Sequence, residues 1–233
     1  LPFNLNSIDQ LFPAVMAQRI GLKLVEAFGY GSRIPVLKLR ESNDADLRFI
    51  ADYVYSFIFE QYTRKQWGLR PEELDPGVTS RVPILVSRDD RYFQDTYQAM
   101  PLNGYSVMVQ RMLEHTNIRL LLNTRWQDIE NEVTYNQMIF TGPIDEFFHF
   151  KHGTLPYRSL HFDAQTLPLE RFQAAAVINY PNEYDYTRIT EMKWLTNQTH
   201  PQTTIISEYP TDHLHGTTVP YYPVPTSVNR QQY

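Results

Sequence analysis

An α+β fold, a helical subdomain in residues 1–116 followed by a mainly antiparallel β-sheet subdomain in residues 117–233, is predicted by a change of hydrophobic period partway along the chain. Before His115 apolar residues recur at helical spacing; after it come short β-branched and aromatic runs divided by Gly, Pro, Asn and Asp. Ser7 and Gln10 form a capping-box pattern ahead of Leu11, Phe12 and Val15, and Pro13 should kink or split that helix. A second helical segment should stop near Phe28, because Gly29 follows. The clearest helix spans about Asp44 to Gln66, with Asn43 as its N-cap and Leu47, Ile50, Ala51, Val54, Phe57 and Ile58 on one face. Gly68 and Pro71 are its stop signals, which places Tyr62 to Trp67 on the last turn. Residues 69–82 lack periodicity and read as a mobile loop, and another helix is expected over Tyr105–Glu114. Strands are expected at Ile118–Leu122, Thr134–Thr141, Ser159–Thr166, Ala174–Tyr180, Tyr186–Lys193 and Thr203–Tyr209. Most of their connections are too short for helical crossovers, so the sheet should be antiparallel.

The composition excludes several classes of function. With 233 residues, 42% hydrophobic, the chain can bury a core, and a formal charge of -5 with dispersed Lys and Arg offers no broad cationic field for nucleic acid or an anionic membrane. Local cations should therefore serve small anions. Without cysteine there is no disulfide framework and no thiolate metal site, and no secretory leader pattern is seen, so the expected setting is cytoplasmic. The histidines His149, His152, His213 and His215 lack the companions of a metal site, and no metal is expected. Gly29-Tyr30-Gly31 opens like a dinucleotide fingerprint, but it lacks the third glycine and follows a helix, so it reads as a helix stop.

Two segments combine aromatic rings, hydroxyls and cations: Tyr62-Thr63-Arg64-Lys65-Gln66-Trp67-Gly68 and Tyr184-Asp185-Tyr186-Thr187-Arg188-Ile189-Thr190-Glu191. An aromatic face can stack a base, worth roughly 1–3 kcal/mol, and a guanidinium fork matches phosphate oxygens. Tyr62, Trp67, Tyr92 and Phe93 suit the first task; Arg81 and Arg188 suit the second. Taken singly, each has a plain structural reading, the aromatics as core and Arg188 as a strand-surface ion pair beside Glu183, Asp185 and Glu191.

Taken together with Pro2-Phe3-Asn4-Leu5-Asn6, Arg91-Tyr92-Phe93-Gln94-Asp95 and Pro220-Tyr221-Tyr222-Pro223, these motifs resemble, in order and spacing, the UDP-galactopyranose mutase family. The resemblance implies an isomerase that interconverts UDP-galactopyranose and UDP-galactofuranose with reduced FAD, through a flavin N5–sugar adduct. It further implies that Tyr62, Thr63 and Trp67 hold the uridine, that Arg81 sits on a closing loop, and that Arg81 and Arg188 oppose diphosphate charge in the transition state. Tyr92 and one of Tyr221 and Tyr222, with Tyr222 preferred, would reach the diphosphate. Asn4 and Asn179 would lie near sugar or flavin, with Asn179 the less secure transfer because its spacing to Arg188 is one residue shorter than in some members. Thr141-Gly142-Pro143-Ile144-Asp145 is similar to a strand end beside the flavin, which makes Thr141, Gly142 and Pro143 cofactor-binding candidates. The family's opening dinucleotide-binding segment is not found, and a chain from Leu1 to Tyr233 reads as a piece of something longer, incompetent in catalysis alone.

The expected partners are a UDP-sugar and, at most, a second copy in a homodimer. Two other readings stay open: a flavin-free sugar-nucleotide or glycan-binding module, and a scaffold whose aromatic residues fill an interface.

Overall fold

The computed structural model describes residues 2–80 and 83–232. Its first part is helical: α1 (Leu5–Leu11), α2 (Ala14–Phe28), α3 (Val36–Arg40), α4 (Ala45–Val54), α5 (Glu60–Trp67) and the single turn α6 (Pro76–Thr79), with β1 (Arg33–Pro35) paired antiparallel to β2 (Pro83–Leu85). Pro13 does separate α1 from α2. The caps differ from expectation by a few residues. Asn4, not Ser7, begins α1: its side chain accepts from the Ser7 N–H while the Ser7 hydroxyl answers the Asn4 N–H, so Ser7, third residue of the helix, closes the box instead of opening it. Asp44, not Asn43, begins α4, because its carboxylate reaches the N–H groups of both Asp46 and Leu47.

The expected long helix is interrupted once. Between α4 and α5 the backbone widens into a π turn over Tyr55–Phe59. The buried stripe Leu47, Ile50, Ala51, Val54 then continues as Phe59, Thr63 and Gln66, one position later than an unbroken helix would place it. Phe57, expected inside, is 56% exposed for that reason. Leu24, Ile20, Ile50, Val36, Leu39 and Ile84 form the centre of the core of this part, each essentially without solvent contact. Every such side chain contributes roughly 1.5–3 kcal/mol by leaving water.

The expected featureless loop at 69–82 has more structure than its composition suggested. A 3-10 turn over Pro71–Glu73 buries Pro71 and Leu74, and α6 follows with Asp75 capping the Gly77 N–H. Asp75 also donates its N–H to the Pro225 carbonyl and pairs with Arg230.

From residue 88 to 158 none of the described residues is buried. α7 (Gly104–Leu113), α8 (Trp126–Ile129) and α9 (Ile144–Phe147) lie here, and the strands expected at Ile118–Leu122 and Thr134–Thr141 are not formed. Their β-branched and aliphatic side chains stand in solvent, Ile139 at 82% exposure, with no strand edge beside them to complete a ladder.

The later strands form as read, with shifted ends, as β3 (Tyr157–Leu167), β4 (Val177–Asn179), β5 (Arg188–Glu191) and β6 (Thr203–Asp212), and a short β7 (Tyr222–Pro223) that the sequence reading did not include joins them. They make one sheet in the order β4-β5-β6-β3-β7 with every neighbouring pair antiparallel. Short α10 (Lys193–Thr196) and α11 (Ser227–Gln232) complete the chain. Among the described residues of this part only Ile189 and Ile205 are buried hydrophobics, so polar contacts carry much of its order. The main one surrounds Glu191, whose carboxylate has no solvent exposure and accepts from the N–H groups of Phe172 and Gln173, the Thr203 hydroxyl and the Trp194 indole. Among the described residues no helix is long and apolar enough to cross a membrane.

Candidate functional site

The end of α5 and the face of the sheet beneath it meet in one cluster. α5 stops because Gly68 takes a left-handed conformation, φ 70°, and returns its N–H to the Arg64 carbonyl. Two further carbonyls at that end are satisfied from the sheet, where Arg158 of β3 donates Nε to the Gln66 carbonyl at 3.0 Å and Nη2 to that of Lys65 at 3.2 Å. Arg158 is itself paired with Asp212. This fixes Tyr62, Thr63, Lys65, Gln66 and Trp67 relative to the strands. A Gly68→Ala chain should lose roughly 1–2 kcal/mol of stability, the cost of a left-handed residue with a Cβ, read as a lower urea midpoint at unchanged slope.

Strand register aligns the sheet's contribution. Arg188 lies opposite Asn179 on one side and Glu208 on the other, and Glu208 lies opposite Phe162, so the four side chains form a row on one face. Arg188 Nη2 donates to the Tyr62 hydroxyl at 2.5 Å. Its Nε lies 3.4 Å from Glu208 Oε1 without a formed hydrogen bond, and is a buried donor with no partner among the described residues. Burial works against the charge, but the Tyr62 hydroxyl and Glu208 outweigh it and hold the guanidinium above its ordinary pKa. Burial raises the Tyr62 phenol, against the opposing pull of Arg188. Tyr222 is likewise raised, by burial and then by Glu208. The Trp67 and Tyr222 rings meet edge to face at 5.9 Å, and Tyr221 packs on Phe162 at the same distance.

Of the candidates read from sequence, Tyr62, Thr63, Trp67, Arg188, Tyr221 and Tyr222 therefore gather at one place, and Asn179 stands exposed beside Arg188 in the row. Others are elsewhere or otherwise engaged. Asn4 is fully buried; its amide donates to the Asp89 carbonyl and to Asp90, and its oxygen caps α1, so its polar atoms serve the fold. Tyr92 and Phe93 are exposed and pack edge to face on each other at 4.9 Å, and no ring or hydrogen-bond contact joins them to the Tyr62–Arg188 cluster among the described residues. Arg81 lies outside the described residues.

Thr141 and Gly142 are exposed in irregular chain, with Pro143 starting α9. A side chain at Gly142 would collide with the ring of Phe140, whose nearest atom lies 2.6 Å from the Cβ position. The absent side chain thus makes room for the protein's own Phe140.

The sequence reading passed over Glu208, Arg158 and the role of Lys65. Glu208 sits mid-strand at the alternation that sends it to the Arg188 face, a signal available only once β5 and β6 are known to pair in this register. As a whole, the arrangement can hold an anionic group at Arg188 beside flat surfaces at Trp67 and Tyr222, with Glu208 fixing the guanidinium from the side.

Comparison with known proteins agrees with this chemistry. A family model described as UDP-galactopyranose mutase matches residues 57–233. A probable UDP-galactopyranose mutase of Klebsiella pneumoniae is 33% identical over 226 residues, covering 96% of this chain and 57% of that protein. The dTDP-fucopyranose mutase of Escherichia coli is 30% identical over 231 residues, and the UDP-galactopyranose mutase of Mycoplasma pneumoniae 30% over 241, each covering 96% of this chain and 60% of the relative. The chain spans about 60% of the length of the curated relatives it matches.

Proposed function

Because the chain belongs to the UDP-galactopyranose mutase family, we propose that it is the nucleotide-sugar-binding portion of such an isomerase and holds UDP-galactose between α5 and the sheet. Arg188 takes the diphosphate, and Tyr62, Thr63, Trp67 and Tyr222 confine the rest of the nucleotide. The observation that carries this reading is the Arg188 guanidinium, anchored at one end by Tyr62 and left at the other with a buried Nε donor that no described residue satisfies. A buried donor without a partner costs roughly 1–3 kcal/mol, a deficit that an incoming phosphate oxygen removes.

In the parent enzyme reduced FAD supplies the covalent chemistry of ring contraction. The residues of this chain bind and orient the nucleotide end, and the Arg188 charge opposes the negative charge that gathers on UDP as the sugar departs. Alone, the 233 residues bind and do not turn over. Arg81, which the resemblance pairs with Arg188, lies outside the described residues and carries none of this reading.

Titration of the chain with UDP by calorimetry, with tryptophan fluorescence in parallel, tests the proposal. Binding should weaken as salt rises, and UMP, which lacks the second phosphate, should bind more weakly than UDP. The Escherichia coli relative is named for a dTDP-sugar, so dTDP serves as the second arm and should compete with UDP for the same site. Absence of both binding heat and a fluorescence change at millimolar UDP would overturn the proposal.

A further inference from the structure

We propose that Lys65 is a positioning residue, an internal cation that gathers the 180–186 segment into one conformation and so sets Arg188 for its anion. The inference rests on the nucleotide-binding reading above, and one arm of its test does not.

A lysine ammonium has three protons to donate. All three donors of Lys65 find backbone acceptors in a single short segment: the carbonyls of Tyr180, Tyr184, at 2.8 Å, and Tyr186, at 3.2 Å. Among the described residues it forms no ion pair. Three carbonyls from the connection between β4 and β5 thus converge on one charge, as they would around a bound monovalent cation, with the cation supplied by α5. Burial draws the ammonium pKa down, against the nearby Glu183 and Asp185. The aromatic rings close around the same segment. Tyr184 and Tyr186 stack at 4.8 Å with 8° between planes, and Tyr180 meets both edge on.

The tether reaches Arg188 along the backbone. Tyr186 accepts from Lys65; Thr187, fully buried, donates its N–H to the Glu208 carbonyl; Arg188 follows on β5. A second stitch, Asn182 Nδ2 to the Phe57 carbonyl at 2.8 Å, draws on the π turn. Three successive tethers from one continuous helical run, at Phe57, Tyr62 and Lys65, hold the segment and its strand. Lys65 makes the most contacts of the three.

The test uses the full 233-residue chain carrying Lys65→Met, which keeps the length and removes the donors. Without ligand, amide hydrogen exchange over residues 180–188 should accelerate at least tenfold while α1 to α4 stay protected. With UDP, affinity should fall about tenfold. Lys65→Arg should not restore either, since a planar fork cannot address three convergent carbonyls. Lys65→Ala should regain UDP affinity on adding propylammonium, saturably, and not on adding tetramethylammonium at equal ionic strength. Should Lys65→Met melt at the working temperature, Lys65→Gln takes its place in the exchange arm. Unchanged exchange over 180–188 in a folded variant overturns the proposal whether or not UDP binds; failure of the unaltered chain to bind UDP overturns the nucleotide reading and leaves the exchange arm to decide on Lys65.

Discussion

Replacing Arg188 by alanine is expected to weaken UDP binding by about 100-fold or more, consistent with the roughly 2–5 kcal/mol that loss of one member of a desolvated, hydrogen-bonded charge pair costs. Two features make the loss large. Nη2 is already fixed on Tyr62, so little side-chain freedom remains to be lost when the anion arrives, and the Nε donor forms no hydrogen bond among the described residues beyond its 3.4 Å ion-pair contact with Glu208. Glu208 would then face the diphosphate with no cation between them, and its repulsion adds to the deficit. Arg188→Lys should recover only part of the affinity, because one ammonium cannot both bond Tyr62 and present two parallel donors to phosphate. Thermal stability should fall as well, since the deletion strands the largely buried Glu208 carboxylate without its cation. Calorimetry decides the matter: equal UDP affinity for Arg188→Ala and the unaltered chain would show that the anion sits elsewhere.

Glu191→Gln should act in the opposite way, lowering stability by roughly 3 kcal/mol, a large share of the 5–15 kcal/mol typical of a domain. Each carboxylate oxygen accepts two hydrogen bonds, from Phe172 N–H and the Thr203 hydroxyl on one side and from Gln173 N–H and the Trp194 indole on the other. An amide of the same shape must turn its NH2 toward one of those donor pairs, leaving donors face to face in a site without solvent. Burial pushes the Glu191 pKa up, and the four donors more than offset it, leaving the group below the ordinary glutamate value of 4.5. The sign for pH follows. The carboxylate's contribution is complete above the unfolded pKa near 4.5 and is lost as pH falls through the lower folded value. Urea unfolding of the two chains should therefore differ most at neutral pH and converge in acid. A constant difference from neutral pH down to about pH 3 would contradict this account.

What could be read in advance followed the range of each signal. Helix stops are local chemistry, and Gly29 and Gly68 end helices where their positions indicate. Strand identity in β3, β5 and β6 was legible because β-branched residues alternate there and a neighbour exists to pair with. The same composition at Ile118–Leu122 and Thr134–Thr141 yields no strand, since β-propensity expresses itself only against a partner edge. The two halves of the candidate site, around Tyr62 and Arg188, were each visible as clusters of aromatic and cationic residues. Their meeting was not, because it depends on α5 lying across the row set by the β4-β5-β6 register. Glu208 and Arg158 look ordinary in sequence for the same reason: one acts across a strand pair and the other across the gap between β3 and the end of α5. The π turn left no mark on the periodicity except that Phe57 and Ile58 both seemed able to continue the stripe.

That widened turn lets one rod serve two masters. Its single surplus residue rotates everything beyond it by ~100°, so the stretch before it faces α2 and α3 while the stretch after it faces the strands. The length of the Tyr55–Phe59 segment is therefore under tighter constraint than its composition: most hydrophobic exchanges there alter packing, whereas excising one residue would swing Tyr62, Lys65 and Trp67 off the sheet in a single stroke.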